Sequence, residues 1–214
     1  MTYRITFAVG GRARFLSHLE TVDTLLGALR RAGFDIALSK GMKPRPVISL
    51  ALPRAVGTET LADIADVELR GEHDPLDVTE RLSNHLPMGM TVVVVEPATG
   101  KQAASRVESV TYRVDVADDV DWDAALQAFA SVESCEVVRT APNKASKRID
   151  VRRYCTAVAY EPGALEMELA VTDAGTARPE ELTHAVAALV GATPKIERLV
   201  RTAIRLREPV GART

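Results

Sequence analysis

A short loop rich in glycine and proline carries the residues of this chain that are best suited to bind an anion. Lys40, Lys43 and Arg45 lie in the sequence SKGMKPRP, Arg54 follows, and no acidic residue separates these four cations. Prolines on both sides of Arg45 restrict the backbone. A guanidinium on a stiff loop can bind a phosphate through two hydrogen bonds with little loss of entropy. We interpret the loop as an anion-binding site, the alternative being a solvated connection between strands.

Other basic residues extend this pattern to both halves of the chain. Arg12 and Arg14 precede the loop, and six cations against one acid occupy positions 139–153. This second segment fits a solvated hairpin as well as an arm that follows a phosphate backbone. The two basic segments would form one stripe if the halves pack side by side. The predicted anion-binding residues are Arg12, Arg14, His18, Lys40, Lys43, Arg45, Arg54, Arg139, Lys144, Lys147, Arg148, Arg152 and Arg153.

His18 is the one residue with a candidate catalytic role. It follows Ser17 at the start of a predicted helix, but neighbouring helical residues point about 100° apart and do not share a hydrogen bond. Ser17 is already explained by a capping box with Glu20. Since the sequence supplies no partner for His18, we expect no catalytic activity from this chain alone.

Composition narrows the possible functions further. The net charge is −2, but the charges are unevenly distributed along the chain. Residues 1–56 carry nine Lys/Arg and three Asp/Glu, whereas residues 57–100 carry two Lys/Arg and nine Asp/Glu. The cysteines, Cys135 and Cys155, are not spaced as a metal-binding or redox pair, and no dinucleotide or P-loop motif occurs. We therefore expect no cofactor and no metal. The absence of a bilayer-length apolar run of ~20 residues and of a secretion signal predicts a cytoplasmic protein that does not bind a membrane.

Hydrophobic periodicity predicts a mixed α+β fold in the first half of the chain. Strands are expected at Tyr3–Val9, Phe34–Ser39, Val47–Leu52, Ile64–Arg70 and Met90–Glu96, with helices starting after Ser17 and Asp74. This order is the split βαβ pattern of ferredoxin-like folds.

The second half repeats the same plan loosely, with helices after Asp121 and from Pro179 and a terminal strand at Arg198–Leu206. We therefore predict two tandem ferredoxin-like (split βαβ) domains with antiparallel sheets. The first covers residues 1–98 and carries the basic GMKPRP loop, and the second covers residues 109–214 and carries a basic hairpin at 139–153.

Three sequence stretches resemble a family of uncharacterised bacterial proteins known as radical SAM-linked proteins (DUF2344-type). They are RFLSHLE at Arg14–Glu20, ALRRAG at Ala28–Gly33 and SKGMKPRPVISLALPRAVGTE at Ser39–Glu59. Members typically carry F-L-S-H-L-D and S-x-G-F-N-P-R-P, so Glu20 replaces Asp here and Met42-Lys43 replace Phe-Asn. The resemblance implies a radical SAM enzyme encoded nearby as partner. Any radical chemistry would belong to that partner, because this chain lacks C-x-x-x-C-x-x-C.

The leading hypothesis is a non-enzymatic accessory protein that binds RNA for a radical SAM enzyme, in modification or processing of tRNA or rRNA. A first alternative is a metal-independent RNA-processing or RNA-modifying enzyme with His18 as general base. A second is a protein-interaction subunit of the radical SAM enzyme without RNA contact. The sequence leaves the oligomeric state, and the choice between a polymer and a small anion as ligand, open.

Overall fold

A computed structural model describes residues 1–99, 102–117, 119–141 and 144–207, without the side chains of Ala141 and Lys144. These residues form four α-helices and ten strands, and every strand pair with a described register is antiparallel. The prediction of a mixed α+β chain with antiparallel strands is therefore confirmed. The chain divides into two compact units, one formed by Met1–Val107 with the chain from Ala203 onward, the other by Glu108–Thr202. The predicted domain limits of 1–98 and 109–214 stay a prediction.

Two helices and four strands make up the first part of the N-terminal unit. In chain order they are β1 (Thr2–Val9), α1 (His18–Arg31), β2 (Ile48–Leu50), β3 (Glu59–Glu68), α2 (Pro75–Ser83) and β4 (Met90–Pro97). The strands lie in the order β4-β1-β3-β2. Each helix therefore connects two strands that are separated in the sheet by a third, which places both helices on one face.

The core of this unit follows from the alternation along β1. Tyr3, Ile5 and Phe7 are fully buried, while the intervening residues are only partly buried. Leu29 of α1 and Leu82 of α2 are also fully buried and belong to the same apolar cluster. Since strand residues alternate between faces and helical residues repeat every 3.6 positions, one face of the sheet and one stripe of each helix make this core.

The segment between α1 and β2 differs from the prediction. No regular strand forms at 34–39, where Ile36 and Leu38 make only isolated bridges to Leu69 and Pro46. The strand predicted at 47–52 is shortened to β2, and β3 starts five residues before the predicted Ile64. Pro44 and Pro46 supply no N–H to a ladder. Scattered bonds attach the segment to the end of β3 and the residues after it, such as Ala37 N to Glu68 O and Arg70 N to Asp35 O, both at 2.8 Å.

The remaining elements belong mainly to the C-terminal unit. They are β5 (Val107–Val116), α3 (Trp122–Ser131), β6 (Glu136–Ala141), β7 (Lys144–Asp150), β8 (Cys155–Glu161), β9 (Ala164–Ala170), α4 (Pro179–Ala188) and β10 (Ile196–Leu206). The strands β10-β5-β9-β8 are neighbours in that order, and β6 and β7 form a separate two-stranded ribbon. The basic segment at 139–153, which the sequence analysis assigned to a hairpin, begins in this ribbon and ends in the 3₁₀ turn at Val151–Arg153 that follows β7.

Candidate anion-binding surfaces

The basic loop (residues 39–46) is closed by bonds between its own ends. Ser39 N donates to Arg45 O at 2.8 Å, and Arg45 N donates to Ser39 Oγ at 3.0 Å. Lys40, Lys43 and Arg45 are exposed. Among the described residues, no carboxylate lies within ion-pairing distance of any of these three side chains. The loop therefore presents three cations whose charge no described carboxylate neutralises.

The two arginines of the earlier segment lie in a 3₁₀ turn at Gly11–Phe15. Arg12 is exposed, whereas Arg14 donates from Nη1 to Glu59 Oε1 at 3.0 Å and lies 4.9 Å above the Phe15 ring. The Glu59 carboxylate offsets the charge of Arg14. Arg12 is thus the freer of the two for a ligand.

Arg54 lies inside the protein, with only 8% of its surface exposed. Its Nε is 3.3 Å from Asp63 Oδ2, and its Nη1 donates to Arg14 O at 3.0 Å and to Thr58 O at 2.5 Å. The guanidinium thereby ties the turn before β3 to the 3₁₀ turn. Arg54 therefore holds the backbone of Arg14 in place through this hydrogen bond. The prediction that Arg54 binds an anion at the surface is wrong, because the surrounding atoms enclose its side chain.

The 3₁₀ turn and the basic loop leave the sheet at different ends of β3. Val9, the last residue of β1, is opposite Thr60, whereas Ile48, just after the basic loop, is opposite Val67. These levels are ~23 Å apart at ~3.3 Å per residue. Arg12 and the basic loop therefore emerge at separate places along the sheet.

His18 is the first residue of α1, and its Nδ1 is buried without a hydrogen-bond partner among the described residues. Ser17 Oγ accepts from Glu20 N at 3.3 Å, and Glu20 Oε2 accepts from Ser17 N at 2.8 Å, which confirms the capping box. A proton on Nδ1 would lack an acceptor, so the tautomer with the proton on Nε2 is favoured. In that form Nε2 carries the proton, so it can donate a hydrogen bond to an anion but does not serve as a base.

Arg139 of the second cluster is held by a carboxylate. It donates from Nε and Nη2 to the two oxygens of Glu181 at 2.6 Å each, and from Nη2 to Thr176 O at 3.1 Å. Burial alone raises the pKa of Glu181, but hydrogen bonds from Arg139 and from Arg178 N–H outweigh it and leave the pKa below its ordinary value. This pair joins β6 to α4, so Arg139 has a structural role.

The other cations of this segment differ in exposure. Lys147 has no ion-pair partner among the described residues, while the exposed Arg148 lies 3.7 Å from Glu136. Arg153 pairs with Asp150 at 3.2 Å, and Arg152 lies 5.0 Å above the Phe129 ring. The side chain of Lys144 lies outside the described residues. The charge of this segment is thus partly neutralised, unlike that of the basic loop.

The sheet face of β5 and β9 that points away from the C-terminal core is rich in carboxylates, which the sequence analysis did not anticipate. Arg113 lies 2.9 Å from Asp115, 3.8 Å from Glu166 and 3.9 Å from Glu161. The register places Arg113 opposite Glu166 and Thr111 opposite Glu168. Strand alternation alone predicts that these residues share a face, but only the pairing of β5 with β9 brings the acids together. This face does not attract an anion.

The cavities bordered by described residues of the C-terminal unit include the following two. One of about 200 Å³ is bordered by α3 and β8, and one of about 550 Å³ by β6 and α4. Each contains a cysteine: burial raises the pKa of Cys155 to about 11, and burial and the Asp150 charge raise that of Cys135. In the part of the chain that the structure describes, no group of three metal-ligating side chains occurs.

The fold and these surfaces define the chain as an α+β protein with an exposed cationic loop and no helix among the described residues long and apolar enough to span a membrane. It belongs to the family of uncharacterised proteins conserved in bacteria designated DUF2344, whose model matches residues 2–179. The DUF2344 part of the family assignment made from the sequence is confirmed, while the link to a radical SAM enzyme stays a prediction. No curated protein matches the chain.

The solved structures that match this chain share little sequence with it. The match to a chain of a Cbf5-Nop10-Gar1 complex has 12% identity and a TM-score of 0.47, and it covers 93% of this chain. This chain spans about half (48%) of that one. The small subunit of acetolactate synthase from Thermotoga maritima matches at 13% identity and a TM-score of 0.25, covering 98% of this chain and 99% of that one. The first two RRM domains of yeast poly(U)-binding protein match at 13% identity and a TM-score of 0.22, covering 95% of this chain and 99% of that one. None of these scores establishes a shared fold.

Proposed function

We propose that this protein is an accessory protein without catalysis of its own that binds the phosphate backbone of RNA through the basic loop. The observation that carries the proposal is the exposure of Lys40, Lys43 and Arg45 on a loop closed by its own hydrogen bonds, with no carboxylate in reach among the described residues. Neutralising phosphates releases counterions, which is the main source of affinity for nucleic acid.

The rigidity of the loop supports this function. The bonds between Ser39 and Arg45 fix the base of the loop, and the flanking prolines fix φ on both sides of Arg45. Ordering of a loop on binding costs affinity, and a preformed loop avoids most of that cost.

Two further features belong to the same proposal. The resemblance of the GMKPRP loop and the FLSHLE segment to radical SAM-linked proteins favours a radical SAM enzyme as the partner that supplies the chemistry. The strand orders β4-β1-β3-β2 and β10-β5-β9-β8, each with two helices in the connections, favour two ferredoxin-like units in tandem.

The test is RNA affinity as a function of salt. Bulk tRNA is titrated against the full chain and against Lys43→Ala combined with Arg45→Ala, from 50 to 300 mM salt. Loss of two phosphate contacts reduces the slope of log affinity against log salt by about 1.4 to 1.8, and affinity falls at every salt concentration.

A matched variant controls for net charge. Arg70→Ala combined with Lys195→Ala also removes two exposed cations, each of which has a carboxylate partner at 3.6 and 3.5 Å respectively. This variant keeps the wild-type slope. Equal slopes for the wild type and the loop variant would contradict the proposal.

A further inference from the structure

We infer that the groove between β6 and α4 binds an extended, apolar peptide segment of a protein partner, which adds a third strand to the β6-β7 ribbon. The groove has a volume of about 550 Å³ and is bordered by Ser134–Val138 on one side and by His184, Ala185, Ala188 and Leu189 on the other. This interaction goes beyond RNA binding and does not depend on it.

The position of the groove along β6 shows that it follows the edge of a strand. Ser134 and Cys135 border it just before the strand, and they are followed by three consecutive strand residues, Glu136, Val137 and Val138. Successive strand residues point to opposite faces, so a cavity that touches all of them lies beside the backbone. The ladder to β7 occupies the other edge of β6, and within the described residues β6 pairs with no other strand.

The backbone of this edge is available for pairing. In the described structure, no hydrogen bond joins the backbone of Glu136–Arg139 to any element other than β7. An unpaired strand edge is a template for an incoming strand. Peptides that add to a sheet edge gain affinity from main-chain hydrogen bonds and specificity from pockets for alternate side chains.

The helix side of the groove suits a close approach by another backbone. Ala185 and Ala188 present only methyl groups, and Leu189 and Val138 expose 38% and 63% of their surfaces beside the groove. Small residues allow a peptide to lie deep between strand and helix. Exposed apolar side chains at its rim would lose contact with water when a partner covers them.

Charge selects a protein over a nucleic acid as the occupant. Neither lysine nor arginine borders the groove, and Glu136 is its one carboxylate. A phosphate backbone would find no cation to neutralise it there. An uncharged apolar segment matches this lining.

Contacts at both ends of the strand wall fix the position of that wall in the free protein. Arg139 and Glu181 join β6 to α4 beyond Val138, at 2.6 Å. At the other end, Cys135 N donates to Asp150 Oδ1 at 2.9 Å and Cys135 O accepts from Val151 N at 2.9 Å. A preformed groove binds without the cost of opening it.

The test selects peptides and maps where they bind. Random twelve-residue peptides displayed on phage are enriched on the full chain, and the enriched sequences are synthesised and titrated by fluorescence anisotropy. Peptides with apolar residues at alternate positions are expected, and they slow hydrogen exchange of the β6 amides. Ala188→Arg, which fills the groove with a charged side chain, weakens their binding at least tenfold.

Ala130→Arg is the matched control, because it places the same side chain on the exposed face of α3 beside the smaller cavity. It leaves peptide affinity unchanged. Equal enrichment on the Ala188→Arg variant, or binding that leaves β6 exchange unaltered, overturns the inference. Protection of β6 by tRNA instead of peptide would also overturn it. Since the probe is a peptide, failure of this test would not bear on RNA binding by the basic loop, which is measured with tRNA.

Discussion

Arg139 and Glu181 form a two-point ion pair, with Nε–Oε1 and Nη2–Oε2 distances of 2.6 Å, across 42 positions of the chain. The side chains are 25% and 15% exposed. Parallel hydrogen bonds of this kind are strong and fix the relative orientation of the two groups. Because Arg139 lies on β6 and Glu181 on α4, this pair fixes the ribbon to the helix and one end of the groove between them.

The first prediction concerns the pH dependence of this pair. In the folded protein the pKa of Glu181 lies below its ordinary value of 4.5. Its stabilising effect is therefore complete above about pH 4.5 and is lost as the pH falls through the lower, folded-state value. Glu181→Gln should cost about 1–3 kcal/mol at pH 7, and the cost should shrink as the pH is lowered toward 3.

Urea unfolding of both proteins between pH 3 and 7 measures this difference. The exposed Glu197→Gln serves as a control, since its side chain makes only a 3.5 Å surface contact with Lys195. A difference for Glu181→Gln that does not change with pH would contradict the assignment.

The second prediction concerns Gly89, in the turn before β4. Its φ is +90°, and a Cβ there would lie 2.6 Å from Gly10 O and 3.1 Å from Ala13 Cβ. Gly10 N also donates to Gly89 O at 2.8 Å, so neither backbone moves away freely. Gly89→Ala is expected to destabilise the protein by about 1–3 kcal/mol.

Thermal and urea unfolding measure this loss. Gly41→Ala is the control, because a Cβ at Gly41 meets nothing within 4 Å and its φ is not positive. It should be neutral, or stabilising by up to about 1 kcal/mol. The same destabilisation in both variants would show that the close approach at Gly89 is not the cause.

The third prediction concerns the two thiols. Burial raises the pKa of Cys155 to about 11, and burial with the Asp150 charge raises that of Cys135. Since the thiolate is the reactive form, both should react with iodoacetamide more slowly than free cysteine at pH 8, with Cys155 the slower. Mass spectrometry of timed digests gives both rates, and urea-unfolded protein, in which the two rates converge, is the control.

The fourth prediction concerns the proton on His18. Its Nδ1 is buried without a partner among the described residues, so the neutral ring should carry its proton on Nε2. Two-dimensional ¹⁵N–¹H spectra of the imidazole distinguish the tautomers directly. His73 Nε2 and His85 Nδ1 bond to carbonyl oxygens at 2.9 and 2.8 Å and provide internal references. A proton on Nδ1 of His18 would restore the possibility that this residue acts as a base.

Local features of the fold follow from short sequence patterns. The capping box of Ser17 and Glu20 forms as predicted, and Asp74 Oδ1 accepts from Leu76 N at 3.1 Å at the start of α2. These contacts span two or three residues, so neighbouring chemistry decides them. The alternation along β1 likewise predicted which of its residues are buried.

Contacts between distant residues were beyond sequence reasoning. Arg4, which the sequence analysis did not single out, donates to both oxygens of Asp66, and Asp66 also accepts from Ala103 N. The sequence shows a cation and an acid in two segments that alternate between polar and apolar residues. Which acid pairs with Arg4 is fixed only by the register of β1 against β3. The groove beside β6 likewise depends on where α4 lies.

The sequence by itself determined that the chain is α+β, where its helices begin and that residues 39–46 hold cations with no acid between them, because each depends on residues a few positions apart. Only the tertiary structure decided that Arg54 is enclosed beside Asp63 while Arg45 is exposed. Both residues are arginines in a region without intervening acids, so composition cannot separate them. Burial and pairing depend on which strands and turns meet, and those contacts join residues far apart in the chain.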